Sequence, residues 1–217
     1  MPGAWEFFGQ KEVLVAILTR ELVTTAWAVS HRRMILPPGN PEPIFPSGMP
    51  FDHARNHAAQ LMLEQGFQYL FFVDDDVIVP PNAYEILKSD NLDIVSGMYY
   101  RRNEPLAPVA IVKYAQGGQG WLPQWKLGEI IPVYYTGAGC LLIKRKVFET
   151  MPYPWFEWYC DRRDLPEIER TSEDFTFCRK LEKYGIVPYV DTRVQCKHCG
   201  LSKVTVDAKI GPLTAGG

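Results

Sequence analysis

Residues 69–81 read YLFFVDDDVIVPP, and this stretch decides the fold class that the rest of the chain must satisfy. Five apolar or aromatic residues run directly into Asp74, Asp75 and Asp76, and two prolines end the apolar residues that follow. A short aromatic and β-branched run bounded in this way is typical of a strand buried on both faces, central in a parallel sheet. Three adjacent carboxylates at its end repel one another, so they favour a positive partner such as a divalent cation bridging to phosphate. The alternative is an acidic turn that simply closes the strand.

The segments on either side of this strand predict an α/β fold. Residues 12–19, EVLVAILT, are apolar almost throughout and predict a second buried strand. Residues 52–66 predict a helix with Asp52 as its N-cap and Gly66 as its C-cap, because apolar residues recur along one face between them. Further strands are predicted at residues 92–96, 107–114, 121–126, 132–144 and 187–190, and further helices at residues 81–89 and 171–184.

The composition is that of an ordinary soluble globular protein. Hydrophobic residues make up 47% and charged residues 22% of the 217 residues, a length that suits one α/β domain. The formal net charge of −2 attracts neither nucleic acid nor an anionic membrane, so we expect no nucleic-acid partner. No apolar stretch approaches a membrane span and the first residues lack a basic-then-apolar leader, which predicts a cytoplasmic protein without a transmembrane segment.

The acidic stretch and the helix before it carry a resemblance to a known family. FFVDDDVIVP is similar to the D-x-D segment of GT-A type glycosyltransferases, and HARNHAAQLMLEQGFQYLFFVDDD resembles the A-R-N helix that leads into it. The resemblance implies that Asp74 lies near the nucleotide ribose and that Asp76 binds the metal, with Asp75 between them. It also implies that Arg55 lies near the nucleotide sugar, and that the small-residue turn Gly137-Ala138-Gly139 lies under the donor sugar.

A second acidic segment, SEDFTFCRKLEKYG at residues 172–185, predicts a helix with Glu173 and Asp174 in its first turn. Acids at that place complement the helix dipole, and Thr171 or Ser172 is expected to cap the helix, which is sufficient to explain them. The segment is also similar to the E-D helix of inverting family 2 glycosyltransferases, whose Asp deprotonates the acceptor hydroxyl. That resemblance implies Asp174 as the general base, with Glu173 as the runner-up. In the same family a His shortly after this helix completes the metal site, and His198 holds that place.

Two loops are candidate binding segments. Thr19-Arg20-Glu21 follows the first strand, where open α/β sheets place ligand-binding loops, so we assign Thr19 and Glu21 to nucleotide binding. This segment replaces the Pro-x-Tyr/Asn-x-Glu turn often found in the family. The adjacent Arg101 and Arg102 follow a later strand, and their forked guanidinium groups suit diphosphate oxygens, unless both are solvated.

An aromatic segment, PYPWFEWYCD at residues 152–161, precedes the second acidic helix. Exposed indole rings are good platforms for the C–H faces of sugars, so we predict that Trp155 and Trp158 contact the acceptor. Packing of these rings against the sheet, or a dimer contact, is the alternative.

Other metal or redox motifs are weaker. Cys196 and Cys199 have C-x-x-C spacing, but a zinc site needs a second pair and the remaining cysteines, Cys140, Cys160 and Cys178, are scattered singly. His53 and His57 have i, i+4 spacing without an accompanying ligand motif, so helix-surface histidines are the better interpretation.

These observations predict one domain over residues 1–217, with a nucleotide-sugar part at about 12–102, an acceptor and catalytic part at about 103–200, and a tail at 201–217. The fold implied is GT-A, a Rossmann-like nucleotide-diphospho-sugar transferase with a mixed, mainly parallel central sheet flanked by helices, and a small antiparallel sheet. The function implied is a glycosyltransferase that moves a sugar from a UDP- or GDP-sugar to an acceptor hydroxyl with inversion. Mn²⁺ or Mg²⁺ would be held by Asp76 and His198, with Asp74 near the ribose or bound to the metal through water.

Three alternatives remain open at this point. Retaining transfer is possible on the same fold. A sugar nucleotidyltransferase would also cluster carboxylates, but it would want a glycine-rich basic loop after the first strand, and residues 19–33 contain no glycine. A non-catalytic carbohydrate-binding protein is the third.

Overall fold

The computed structural model describes residues 11–102, 106–158, 172–199 and 205–207. The predictions that concern Cys160, Thr171 and most of the tail therefore lie outside the described residues. In chain order the strands are β1 (Val13–Leu18), β2 (Tyr69–Asp74), β3 (Val77–Ile78), β4 (Ile94–Met98), β5 (Ala110–Lys113), β6 (Gln119–Trp121), β7 (Ile130–Pro132), β8 (Tyr135–Thr136), β9 (Cys140–Lys144), β10 (Tyr189–Gln195), β11 (Lys197–Cys199) and β12 (Thr205–Asp207). The helices are α1 (Thr25–Arg32), α2 (Phe51–Gln65), α3 (Ala83–Ser89), α4 (Arg145–Thr150) and α5 (Glu173–Lys183).

A six-stranded mixed sheet with the order β1-β2-β9-β4-β10-β7 forms the centre of the fold. Strands β1, β2, β4 and β10 run in one direction, whereas β9 and β7 run antiparallel to their neighbours. The prediction of an α/β fold with a mixed sheet is confirmed. The prediction that β2 has parallel neighbours is wrong on one side, because β9 lies beside it with Val73 paired to Cys140.

Both faces of this sheet are covered, which explains the continuous apolar run in β1. Leu14, Ala16 and Leu18 pack in one cluster with the apolar face of α2, whereas Val13 and Ile17 pack on the opposite face in a cluster with residues of α1 and α3. All six residues of β1 are buried. Alternation of side chains across a strand therefore places apolar residues against helices on either side.

The helix ends follow local sequence with two exceptions. Gly66 ends α2 in the left-handed conformation at φ 82°, as predicted for a C-cap glycine. Asp52 is not the N-cap, because the helix begins at Phe51 and Pro50 holds the capping position. Helices α1 and α4 were not predicted. Trp27 is the only buried residue of α1, so that helix shows no apolar stripe, although Thr24 caps it by accepting a hydrogen bond from the Trp27 amide at 3.1 Å.

Two small antiparallel sheets accompany the central one, where one was predicted. The hairpin of β5 and β6 is confirmed, in shorter form, and β8 extends it. The other sheet has the order β12-β11-β3 and pairs His198 with Val77. This pairing matters for the site because Val77 directly follows the three consecutive aspartates.

None of the five helices in the described part of the chain combines the length and the apolar character that crossing a bilayer requires.

Candidate active site

A cleft of about 600 Å³ opens at the ends of β1 and β2. The first turn of α5 and the short strand β11 form its other walls, so residues from four distant parts of the chain face one space. Open α/β sheets bind ligands at the carboxyl ends of their strands, and this cleft lies at that edge. Its ionisable lining residues are Arg20, Arg55, Asp74, Asp75, Asp76, Tyr99, Arg102, Glu173, Asp174, His198 and Cys199.

Arg55 connects the two acidic segments at the floor of the cleft. Its side chain is only 3% exposed. The Nη2 group donates to both carboxylate oxygens of Asp74, at 3.1 and 3.2 Å, and Nε donates to Glu173 Oε1 at 3.0 Å. The guanidinium also lies over the ring of Phe72, 5.0 Å from its centroid. Burial opposes the charged guanidinium, but Asp74 and Glu173 outweigh it and raise the pKa of Arg55 above its ordinary value.

These contacts change the roles expected of two residues. Arg55 lines the cleft and is buried on α2, so its guanidinium is committed to carboxylates of this protein. Asp74 directs both carboxylate oxygens to the buried Arg55, so direct metal binding by Asp74 would have to break that ion pair. Burial raises the pKa of Asp74, and repulsion from Asp76 and Asp174 adds to the shift while Arg55 opposes it.

Asp76 and His198 form the part of the cleft that best fits a cation. His198 Nδ1 lies 2.8 Å from the carbonyl oxygen of Tyr100, which only accepts, so Nδ1 carries the proton. The remaining nitrogen, Nε2, lies 3.5 Å from Asp76 Oδ1. A backbone carbonyl that orients the imidazole in this way is typical of metal-binding histidines. Arg102 Nη1 donates to the other oxygen of Asp76 at 2.8 Å.

The surroundings of Asp76 favour its ionised form. Burial by itself would raise its pKa, but the contact with His198 and the charge of Arg102 hold the pKa below its ordinary value. Within residues 11–102, 106–158, 172–199 and 205–207, no group of three or more His, Cys, Asp or Glu side chains is placed to hold a metal. Asp76 and His198 could supply two protein ligands to a cation, and the rest of its coordination shell would have to come from phosphate oxygens and water.

Asp174 lies at the start of α5, on a different wall-forming element of the cleft from His198 in β11. Its Oδ1 accepts from the backbone amide of Phe175 at 2.8 Å and from the hydroxyl of Ser172, and Oδ2 accepts from the amide of Ala138 at 3.4 Å. Ser172 holds the N-cap position, but its hydroxyl binds this carboxylate instead of a backbone amide, contrary to the capping role expected of it. Burial raises the pKa of Asp174, and the neighbouring Glu173 raises it further while Arg55 opposes the shift.

The raised pKa gives Asp174 a higher affinity for protons than an exposed aspartate has, which suits a general base. Glu173 is buried and bonded to Arg55, so the two adjacent acids differ in surroundings.

The turn Gly137-Ala138-Gly139 packs against Tyr99 and does not line the cleft. A Cβ at Gly137 would lie 2.2 Å from the Tyr99 hydroxyl, and one at Gly139 would lie 2.7 Å from Cγ2 of Val77. The Gly139 amide donates to the Tyr99 hydroxyl at 3.0 Å. The glycines are thus required by close packing with Tyr99, and the prediction that this turn contacts a donor sugar is not supported. Tyr99 itself lines the cleft, and no sequence motif indicated it.

The loop after β1 lies beside the cleft. Thr19 and Glu21 line a neighbouring cavity of about 480 Å³, together with residues 48–51. Arg20 and Phe51 line both spaces, and the Arg20 guanidinium lies 5.2 Å from the centroid of the Phe51 ring. Asp75 stabilises this loop, because its Oδ2 accepts a hydrogen bond from the backbone amide of Arg20 at 2.9 Å. Thr19 and Glu21 therefore border the neighbouring cavity, whereas Asp75 borders the cleft.

The two tryptophans predicted to contact the acceptor have different surroundings. Trp155 is buried, and its indole nitrogen donates to the carbonyl oxygens of Phe148 and Met151 at 3.1 and 2.9 Å. The prediction that Trp155 contacts the acceptor is wrong, because these bonds and its burial make it a core residue. Trp158 is 47% exposed and lines the cleft. Asn56, which sequence reasoning passed over, holds the segment by accepting from the amides of Trp155 and Phe156.

The minor motifs do not form additional sites in the described residues. Cys196 and Cys199 are buried free thiols, as are Cys140 and Cys178. His53 is exposed and His57 half-buried on α2, and neither lines the cleft.

No protein-family model matches this chain, and no curated protein matches it in sequence. Among solved structures it is similar to that entitled "Crystal Structure of A197 from STIV", with a TM-score of 0.59 and 16% identity over 95% of this chain and 98% of that one. A second similar structure, "The crystal structure of apo- UDP-glucose pyrophosphorylase", has a TM-score of 0.42 and 9% identity over 87% of this chain and 76% of that one. The first likeness shows that this chain shares its fold with A197 over nearly the full length of both.

Proposed function

We propose that this chain is a metal-dependent glycosyltransferase of the GT-A type that transfers a sugar from a UDP- or GDP-sugar to an acceptor hydroxyl with inversion. The observation that carries the proposal is the division of the cleft between two acidic sites. The Asp76–His198 pair suits a cation and the diphosphate, whereas Asp174 lies at the start of α5 with a raised pKa. Arg55 lies between them and holds Asp74 and Glu173.

The residues divide the chemistry as follows. Asp174 accepts the proton of the acceptor hydroxyl as its oxygen attacks the anomeric carbon of the donor. The bond from the anomeric carbon to the diphosphate breaks on the opposite side, and the bonding electrons leave with the nucleoside diphosphate. Asp76 and His198 would hold a cation, which would supply charge neutralisation for that leaving group. Trp158, exposed in the cleft, offers an apolar ring to the acceptor.

Two features favour this function over its alternatives. The loop after β1 contains no glycine and leads into helix α1, which does not suit the glycine-rich basic loop of a nucleotidyltransferase. Retaining transfer through a covalent intermediate requires a nucleophilic carboxylate beside the anomeric carbon. Of the two acids in the first turn of α5, Glu173 is engaged by Arg55 and is therefore poorly placed to act as that nucleophile.

The test compares Asp174→Asn with Glu182→Gln, a control at an exposed acid of the same helix. Nucleoside diphosphate release is measured with a panel of UDP- and GDP-sugars and simple glycoside acceptors, with Mn²⁺, and binding is followed by thermal shift. We expect Asp174→Asn to bind nucleotide with Mn²⁺ as the wild type does, yet to lose at least about a hundredfold in kcat. Product stereochemistry separates inversion from retention. Near-normal kcat in a folded Asp174→Asn protein would return this acid to the role of a helix-start residue.

A further inference from the structure

Arg102 is bonded to the same carboxylate that would hold a cation. Its Nη1 lies 2.8 Å from Asp76 Oδ2, while Asp76 Oδ1 faces Nε2 of His198 at 3.5 Å. The guanidinium therefore lies beside the pair to which the proposed function assigns the metal. A cation that used both oxygens of Asp76, or that approached Oδ2, would have to displace Arg102.

The adjacent arginine is engaged elsewhere. Arg101 lies over the indole ring of Trp121, 4.8 Å from its centroid, and it does not line the cleft. Arg102 does line the cleft, and its side chain is 40% exposed. The two arginines that the sequence presented as equivalent thus differ, and only Arg102 lies where a bound diphosphate would be.

The bond between Arg102 and Asp76 is suited to being broken. Partly exposed ion pairs contribute little to stability, because water solvates the separated charges well. Rotation of a long side chain is enough to move the guanidinium from Asp76 into the cleft. Its planar fork matches phosphate oxygens, so a diphosphate offers the freed group a stronger partner than one carboxylate oxygen.

We infer that Arg102 is a diphosphate-binding residue that occupies Asp76 in the ligand-free protein and transfers to the diphosphate when a cation binds. This inference rests on the proposed function, since it takes the cation and the diphosphate from it. The cation proposed here takes Oδ2 of Asp76, so cation binding and the transfer of Arg102 both require the Arg102–Asp76 contact to break, and the cost of breaking it is met once for two ligands. This shared cost adds the strength of that contact to the direct attraction between the cation and the diphosphate, and the two ligands bind cooperatively.

The experiment measures three quantities in the wild type, Arg102→Gln, the matched control Arg101→Gln, and Asp76→Asn. Mn²⁺ binding alone is followed by the electron paramagnetic resonance signal of free Mn²⁺. Binding of inorganic diphosphate is followed by calorimetry, with and without Mn²⁺. The ratio of the two diphosphate affinities is the factor by which the cation tightens anion binding.

For Arg102→Gln we expect Mn²⁺ alone to bind about two- to fivefold more tightly, because an exposed ion pair has about that strength. Diphosphate in the presence of Mn²⁺ should bind about tenfold more weakly, since a charge-assisted bond is lost. Mn²⁺ tightens diphosphate binding by a certain factor in the wild type, and this factor should be about two- to fivefold smaller in Arg102→Gln. That decrease should equal the increase in affinity for Mn²⁺ alone. Arg101→Gln should match the wild type in all three.

The outcomes separate this inference from the proposed function. If Asp76→Asn abolishes Mn²⁺ binding while Arg102→Gln leaves the Mn²⁺ affinity or the coupling factor unchanged, the metal site stands and the role of Arg102 is refuted. Equal effects of Arg101→Gln and Arg102→Gln would mean that only the lost positive charge matters, and the role of Arg102 would be refuted as well. Unchanged Mn²⁺ binding in Asp76→Asn, or no Mn²⁺ binding by any of the four proteins with or without diphosphate, would overturn the metal site of the proposed function itself.

Discussion

Replacing Arg55 by Met tests whether the buried ion pairs hold the two acidic segments together. The guanidinium is 3% exposed, and its partner Glu173 has a side chain that is 6% exposed. Met keeps an unbranched stem over Phe72 but leaves Glu173 and Asp74 without their cation. Removing one partner of a buried ion pair costs about 3–5 kcal/mol, because the other charge stays buried and unpaired. We expect Arg55→Met to lower the free energy of unfolding by that amount.

A double-mutant cycle isolates the pair. Urea unfolding at pH 7, followed by tryptophan fluorescence, is measured for Arg55→Met, Glu173→Gln and the double variant. We expect the double variant to be more stable than the sum of the single effects predicts, by at least about 1.5 kcal/mol, because it contains no unpaired Glu173 carboxylate. The matched control is the same cycle on Arg145 and Glu149, a more exposed pair one turn apart on α4, where the coupling should stay below about 0.5 kcal/mol.

Additive effects at Arg55 and Glu173, or a coupling no larger than that of the control pair, would refute the reasoning. An Arg55→Met protein within about 1 kcal/mol of the wild type, with an unchanged slope on urea concentration, would have the same consequence.

Three further predictions concern packing and pH. Trp155→Ala should lower the free energy of unfolding by about 3–5 kcal/mol, measured by chemical denaturation. Trp158→Ala should keep the melting temperature and raise the acceptor KM. The reverse pattern would make Trp158 the core residue and Trp155 the acceptor contact. Gly137→Ala should lower the melting temperature because its methyl group meets the Tyr99 hydroxyl, and adding Tyr99→Phe should restore part of the loss; no restoration would place the clash elsewhere. Burial and a neighbouring carboxylate raise the pKa of Asp90 from 3.8 to about 6, so the folded protein keeps a proton that the unfolded chain has lost. The stability that this protonated carboxyl contributes is therefore complete below about pH 4 and is lost as the pH rises through about 6. Asp90→Asn should flatten that part of the curve of unfolding free energy against pH. An unchanged slope in this variant would contradict the raised pKa of Asp90.

Local patterns in the sequence determined most strands, helices α2, α3 and α5, and the acidic residues that face the cleft. The apolar run before Asp74 predicted β2, the left-handed glycine Gly66 ended α2, and the polar start of α5 followed from Glu173 and Asp174. Each of these features depends on residues within one or two turns of the chain. Their side-chain periodicity and capping chemistry can be recognised from the local sequence without the rest of the molecule.

Tertiary structure alone decided how those residues pair. Arg55 binds Glu173 across 118 positions of sequence, and this contact, with Asp74 on the same guanidinium, separates the bonded acids from Asp174. The local sequence also did not predict three further features. These are the insertion of β9 beside β2, the burial of Trp155 and the contact of Arg102 with Asp76. The physical reason is that burial and charge pairing are properties of the space between elements. A carboxylate's partner is set by which distant side chain reaches it when the apolar faces of sheet and helices pack together.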